Sequence, residues 1–448
     1  MKKTEKRISL LVLAGMVLMS ACPLAHGSGQ ERHDETFCAV LENPYKLSTP
    51  WLDQLAAKQV NPPQSSRMRM AVVGDLMVHG PQIRAQFQPD TGTYDFHNNF
   101  DYVRPWFREA DLVMGNLETT FGGETRGYSS FPKFNTPDAF AEALREAGFS
   151  LVSTVNNHTI DTGAAGFYRT LEVLDANMIK AVGTRAAVTE PFWELISHNG
   201  ITVGVTAASY ETPRAFGRRT LNALLIPENL EPLILSFGYE NLENDMAPVL
   251  RQFREMRDAG ADVTAIMIHW GEEYQTQPNQ WQRRIAHQLA SAGADLVLGS
   301  HPHVIQPAAK LQPDEEGPVA WTAYSMGNFL SNQRFEILRR HDTEDGMVLF
   351  VDLIRDPVHG LVEIEQISYL ATWVHRYTKQ GNLVYEILPL PHALEDPVPY
   401  GLVTPESLNR ATASYERTRE RLSMLEPAEA PLPMVLKNRD RTNALVTN

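Results

Sequence analysis

Two histidines separated by one proline, His301 and His303 in the run GSHPH, offer a pair of imidazole nitrogens at fixed spacing. In an extended segment residues i and i+2 point to the same side, so both rings can face one cavity while Pro302 stiffens the backbone between them. Nitrogen donors of borderline softness suit Zn, Fe or Mn, and nearby carboxylate oxygens add charge and can bridge two ions. Donors of these types recur along the chain: Asp75 in VVGD, Asn116 and Glu118 in GNLE, Asn156, Asn157 and His158 in NNH, and His269 in MIH. A set like this supports metal-assisted hydrolysis, in which a divalent ion lowers the pKa of a water and polarises the attacked bond.

Each donor directly follows an apolar run: AVVGD, LVMGNLE, LVSTVNNH, AIMIH and LVLGSHPH. Such runs suit strands covered on both faces, and layered α/β folds collect ligands at the carboxyl ends of their strands. One histidine after a strand is usually structural. Five strand ends carrying carboxylate, amide or imidazole argue for a shared site, because buried unpaired polar groups cost several kcal/mol each.

The elements between them repeat one grammar. REAGFSLVSTVNNH, RDAGADVTAIMIHWG and ASAGADLVLGSHPH each show a helix end, a glycine, an apolar run and then polar residues. Trp281, Ile285 and Leu289 fall on one helical face, and His287 on that helix reads as structural. Asn199-Gly200 between two apolar runs signals a hairpin, so the sheets are expected to be mixed. Further strands are expected in VAWTAYSMGNF and MVLFVDLI.

A chain of 448 residues has room for one large domain with extensions, or for two. Hydrophobic content of 43% and charged content of 21% describe a globular protein, and a formal net charge of −14 excludes broad nucleic-acid binding. MKKTEKR followed by ISLLVLAGMVLM and SAC reads as a secretory signal over residues 1–22, too short an apolar run for a membrane span. Removing residues 1–21 takes Lys2, Lys3, Lys6, Arg7 and Glu5 with it, so the net charge falls from −14 to −17. Met19-Ser20-Ala21-Cys22 resembles a bacterial lipobox, with Met where Leu is usual, and marks Cys22 for lipidation. The alternative is a Cys22–Cys38 disulfide in an exported protein. Residues 23–65 read as a polar linker, 66–390 as the folded domain, and 391–448 as a Pro-rich, partly helical peripheral tail.

The ordered series GDLM, GNLE, NNHTID, HWGEEY, GSHPH and SMGNF is similar to the CapA-like poly-γ-glutamate capsule biosynthesis family. That family resembles a divergent branch of the calcineurin-like metallophosphoesterases. The resemblance covers roughly residues 68–335 and implies a four-layer α/β/β/α sandwich with a centre for one or two divalent ions at one edge. It implies metal ligation by Asp75, Glu118, Asn157, His269, His301 and His303, with His158 stabilising the substrate or leaving group. Asp161 either orients His158 or caps the next helix. Asn116, Lys133 and Asn328 are candidates for substrate contact; Lys133, like Arg214, Arg218 and Arg219, also reads as plain surface charge. Glu272 and Glu273 read as solvated loop charges.

Two positions depart from the metallophosphoesterase pattern. Met77 stands two after Asp75, where a histidine is expected, with His79 two further on. Asn116 and Glu118 stand where a bridging aspartate is expected. The functional expectation is an exported, metal-dependent hydrolase of capsule or envelope polymer, cutting a phosphoester or an amide with a metal-activated water. The alternative is a non-catalytic polymer-binding or export component with a degenerate metal site. Expected partners are an anionic polymer or phosphoester, envelope polymer-synthesis proteins and, through a lipid anchor, the membrane. A strongly negative chain repels a polyanion, so binding one needs a local basic patch or the metal itself.

Overall fold

A computed structural model of the chain describes residues 66–312 and 319–423. The signal segment with Cys22, the linker up to residue 65 and the last 25 residues lie outside the described residues.

Two mixed sheets form the body. The first runs, edge to edge, Asn382–Pro389, Val362–Lys379, Asp345–Arg355, Arg67–Leu76, Leu112–Leu117, Leu151–Ser153, Lys180–Val182, and Asn328–Leu330 pairs the end of Arg67–Leu76. The second runs Ser236–Phe237, Ile201–Tyr210, Val263–His269, Leu296–Ser300, Ala320–Ala323, Ala308–Leu311, with Trp193–His198 against Ile201–Tyr210. The latter pair is the expected hairpin: His198 sits opposite Ile201, and Asn199 and Gly200 take positive φ of 48° and 75° as a tight two-residue turn requires.

Strand periodicity distributes the apolar residues over three cores. Met68, Met70 and Val72 point between the sheets, where Val203, Val205, Ala265 and Met267 meet them. Ala71 and Val73, on the other face, pack beneath the Ala139–Ala147 helix through Phe140 and Leu144. In the second sheet Ile266, Ile268 and Val297 face the helices Leu242–Asp258 and Gln280–Ser291. The result is an α/β/β/α sandwich of four layers. Ile285 and Leu289 are fully buried and Trp281 packs beside them, while His287 is exposed.

The stretch beyond residue 390, read from sequence as peripheral, contributes to the body. Its helix Pro405–Leu422 starts behind a Thr404 cap and sends Ala411 and Leu422 into the core with Leu349, Tyr369 and Leu388. Ser414 donates to Asp345 at 2.7 Å, and Arg417 pairs with the same buried carboxylate at 2.6 Å. The charged run SYERTRERL reads as peripheral in sequence because its acidic partner Asp345 lies some 70 residues upstream.

Candidate metal centre

Parallel pairing brings the donor-bearing strand ends to one edge. Asp75 stands in register with Asn116, Asn116 with Ser153, and His269 with Ser300. Asp75, Asn116, Glu118, Asn156, His269, Ser300, His301 and His303 are all buried, none more than 4% exposed.

The side chains converge on Glu118. Its Oε1 lies 3.5 Å from His269 Nε2 and 3.9 Å from His303 Nε2 and has no hydrogen-bond partner. Asn157 Oδ1 meets His269 Nε2 at 3.0 Å, so amide oxygen, imidazole and carboxylate converge. His303 Nδ1 lies 3.0 Å from Asp75 Oδ2, an arrangement that orients the ring with its Nε2 towards Glu118. His301 packs its ring 4.7 Å from that of His269, and its Nδ1 is buried without a partner. Two donor sets have ligand atoms within 4.8 Å of one another: Glu118, His301, His303, and Asp75, Glu118, His269. Unpartnered carboxylate and imidazole atoms facing a common space are what a divalent ion of the Zn, Fe or Mn type would satisfy, so the residues fit such an ion.

The electrostatics agree. Burial pushes Glu118 well above the usual carboxylate range, and the neighbouring charges of Asp75 and Glu273 push it further. Burial and the neighbouring imidazoles hold His269 and His301 well below their ordinary value, so both present neutral lone pairs. A cation between these groups relieves the carboxylate repulsion and uses the lone pairs.

Supporting residues fix the donors. Asn116 donates through Nδ2 to Asp75 Oδ1 at 2.9 Å and lies 3.3 Å from His269 Nδ1, so its amide braces these two side chains rather than standing free for substrate. Asn156, quoted in NNH but given no role from sequence, donates to the Leu117 carbonyl at 2.8 Å and to Asn116 Oδ1 at 3.2 Å. Ser300 Oγ lies 3.0 Å from His269 Nδ1. Tyr210 holds its ring 4.7 Å from that of His301, tilted by 46°; the signal for it was a further apolar run, ITVGVTAASY, ending at the same edge.

His158 stands slightly apart, with Nδ1 2.7 Å from Asp161 Oδ2 and its ring edge-on to Phe134 at 4.7 Å. Asp161 Oδ2 also accepts from the Phe134 backbone N–H, and no side-chain cap is formed at the following helix. Between the two expected roles for Asp161, the geometry is that of an orienting partner. Lys133 is exposed, and no hydrogen bond or ion pair ties its ammonium to the cluster. Asn328 is buried beside Asp75 in register, but its Nδ2 donates to Gln333 Oε1 and the Thr343 carbonyl, which makes it a loop anchor. Arg214, Arg218 and Arg219 each face a carboxylate, of Asp245, Glu228 and Glu211, a sign of structural use. Met77 is buried beside Ser331, and His79 accepts from the Asn332 N–H at 3.2 Å while packing edge-on against Phe134.

Comparison with known proteins places these residues in context. The family described as "Bacterial capsule synthesis protein PGA_cap" matches residues 69–333. "PGA biosynthesis protein CapA" of Bacillus subtilis (strain 168) is 27% identical over 239 residues, 52% of this chain and 57% of that protein. "Capsule biosynthesis protein CapA" of Bacillus anthracis is 27% identical over 299 residues, 64% of this chain and 66% of that protein. The chain therefore spans less than two thirds of the length of either relative. Among solved structures, a calcineurin-like phosphoesterase, YfkN from Bacillus subtilis, aligns at a TM-score of 0.36 and 14% identity over 80% of this chain and 98% of that one.

Proposed function

Because the chain belongs to the bacterial capsule synthesis protein PGA_cap family, we propose that it is a metal-dependent hydrolase acting on an anionic capsule or envelope polymer. The observation that supports this reading best is the buried convergence of Asp75, Glu118, His269, His301 and His303 around unpartnered Glu118 Oε1 and His301 Nδ1. A bound divalent ion supplies Lewis acidity and a water acidified towards neutrality. In this reading Asp75, Glu118, Asn157, His269, His301 and His303 hold the ion, and Asn116, Asn156 and Ser300 keep their donors aimed. His158, steadied by Asp161, is the group placed to protonate or stabilise the departing oxygen or nitrogen. The substrate bond is a phosphoester or a γ-glutamyl-type amide.

The same proposal has the protein exported to the cell envelope and held at the membrane by a lipidated Cys22, beside polymer-synthesis proteins. No helix among the described residues is long and apolar enough to cross a membrane. A second reading, polymer binding without turnover, is favoured by Met77, which puts a thioether where the metallophosphoesterase pattern expects a ligand.

Elemental analysis of the purified protein, with a screen of phosphodiester and γ-glutamyl substrates, tests the proposal. Wild type should carry a divalent metal that His301→Ala and Asp75→Ala lose, and turnover should follow the added ion. Equal metal content in all three proteins removes the metal centre; metal without turnover leaves the binding reading.

A further inference from the structure

We propose, on the reading of the converging donors as a metal site, that Arg340 is a positioning residue for that site. It acts through Tyr274 on the backbone that carries His301 and His303. Neither histidine has the extended backbone expected from the i, i+2 spacing: His301 has φ 95° and His303 has φ 58°. Residues that carry a side chain rarely adopt this left-handed region, and they stay there only where the surroundings leave no alternative. The tripeptide therefore has to be held from outside.

Tyr274 supplies that hold. Its backbone N–H donates at 2.8 Å to the carbonyl of Pro302, the residue between the two histidines. Its ring centroid lies 6.1 Å from that of His303. Tyr274 is itself at φ 66°, an outlying conformation for an aromatic residue. Arg340 grips it at two points: Nη2 donates to the Tyr274 carbonyl at 2.9 Å, and the guanidinium carbon lies 5.2 Å from the ring centroid. Gln333 Nε2 adds a longer contact to the Tyr274 Oη at 3.4 Å.

Arg340 is fixed in turn. Its Nε and Nη2 donate to Asp342 Oδ1 and Oδ2 at 2.7 and 2.8 Å, a bidentate pair that leaves the guanidinium little freedom. Asp342 also accepts at 3.0 Å from Arg421 Nη2, on the helix Pro405–Leu422. A line of contacts thus runs from the last helix through Asp342, Arg340 and Tyr274 to the Pro302 carbonyl. The hydrogen bonds of Arg340 go to Asp342 and Tyr274, and none reaches the converging donors. Without Arg340, Tyr274 is free to relax to negative φ, and the carbonyl between the histidines loses its donor. An ion then meets ligands that have to be ordered as it binds, which weakens its hold.

Zinc affinity of the full chain, measured by competition with a chromophoric chelator, reads this relay without turnover. Arg340→Ala should weaken zinc binding about 10- to 100-fold, the loss typical when a residue behind a metal ligand is removed. Arg340→Lys should recover part of that loss. The d–d absorption of the cobalt-loaded protein should also change in Arg340→Ala, because it reports how the ligands stand around the ion. Tyr274→Gly keeps the N–H but removes the ring and the strain, so in that background Arg340→Ala should cost less than in wild type. If the alanine variant fails to fold, Arg340→Gln is read the same way. Unchanged zinc affinity and cobalt spectrum in the folded Arg340 variant, or equal losses with and without the Tyr274 side chain, overturn the role of Arg340 and leave the metal site standing. Wild type that binds neither ion overturns both together.

Discussion

His158 has almost no freedom left to it. Asp161 holds Nδ1 at 2.7 Å, Phe134 packs against the ring at 4.7 Å in a perpendicular arrangement, and the backbone N–H of His158 is itself tied to Asn156 Oδ1 at 3.0 Å. The carboxylate fixes the tautomer, so that Nε2 is the nitrogen available to a substrate. Asp161→Asn keeps the shape and removes that control. It should lower turnover about 10- to 100-fold with bound metal unchanged, since Asp161 touches none of the converging ligand atoms. A variant that loses metal and activity together would instead make Asp161 part of the ligand scaffold. The same logic separates Asn116 from the substrate contacts expected of it: its amide is occupied by Asp75 on one side and lies against His269 on the other.

At the scale of elements, the centre depends on how closely the first strand approaches the loop of the SMGNF block. Asp75 donates its backbone N–H to the Gly327 carbonyl at 3.0 Å, and Asn328 pairs beside it. A Cβ on Gly74 would fall 2.0 Å from that same carbonyl oxygen, so only glycine lets the two backbones meet here. Gly74→Ala should cost on the order of 3 kcal/mol, as overpacked sites do, and move Asp75 from the cluster. Thermal unfolding and metal content should fall together; a variant with wild-type Tm and wild-type metal would show that the approach is dispensable. The glycine in GDLM thus serves the strand crossing, a purpose that a run of one-letter codes does not display.

For the molecule as a whole, acid should loosen the end where the last helix meets the first sheet. His375 lies stacked between Trp373 and Tyr377, with ring centroids 4.9 and 4.3 Å away. Burial lowers its pKa to about 4, the Gly401 carbonyl pulls it up, and the Arg334 and Arg410 charges lower it further. Between the unfolded value of 6.5 and about 4, only the unfolded chain binds this proton. Its contribution is therefore complete above pH 6.5, is lost as pH falls, and is gone below about 4; the full span is worth about 3 kcal/mol. His375→Phe should lose less Tm between pH 7 and pH 5 than wild type, and an identical loss in both would place the acid sensitivity elsewhere. Strand ends, hairpin and helix faces could be read in the sequence because each depends on local periodicity. So could the identity of most donors, since types and order survive without coordinates. Which donors converge on Glu118 and which brace their neighbours, the separation of Lys133 from the cluster and the burial of helix Pro405–Leu422 against Asp345 were decided only by tertiary structure. Each depends on residues tens to hundreds of positions apart meeting in a dry interior, where an atom's partners, more than its type, set what it can do.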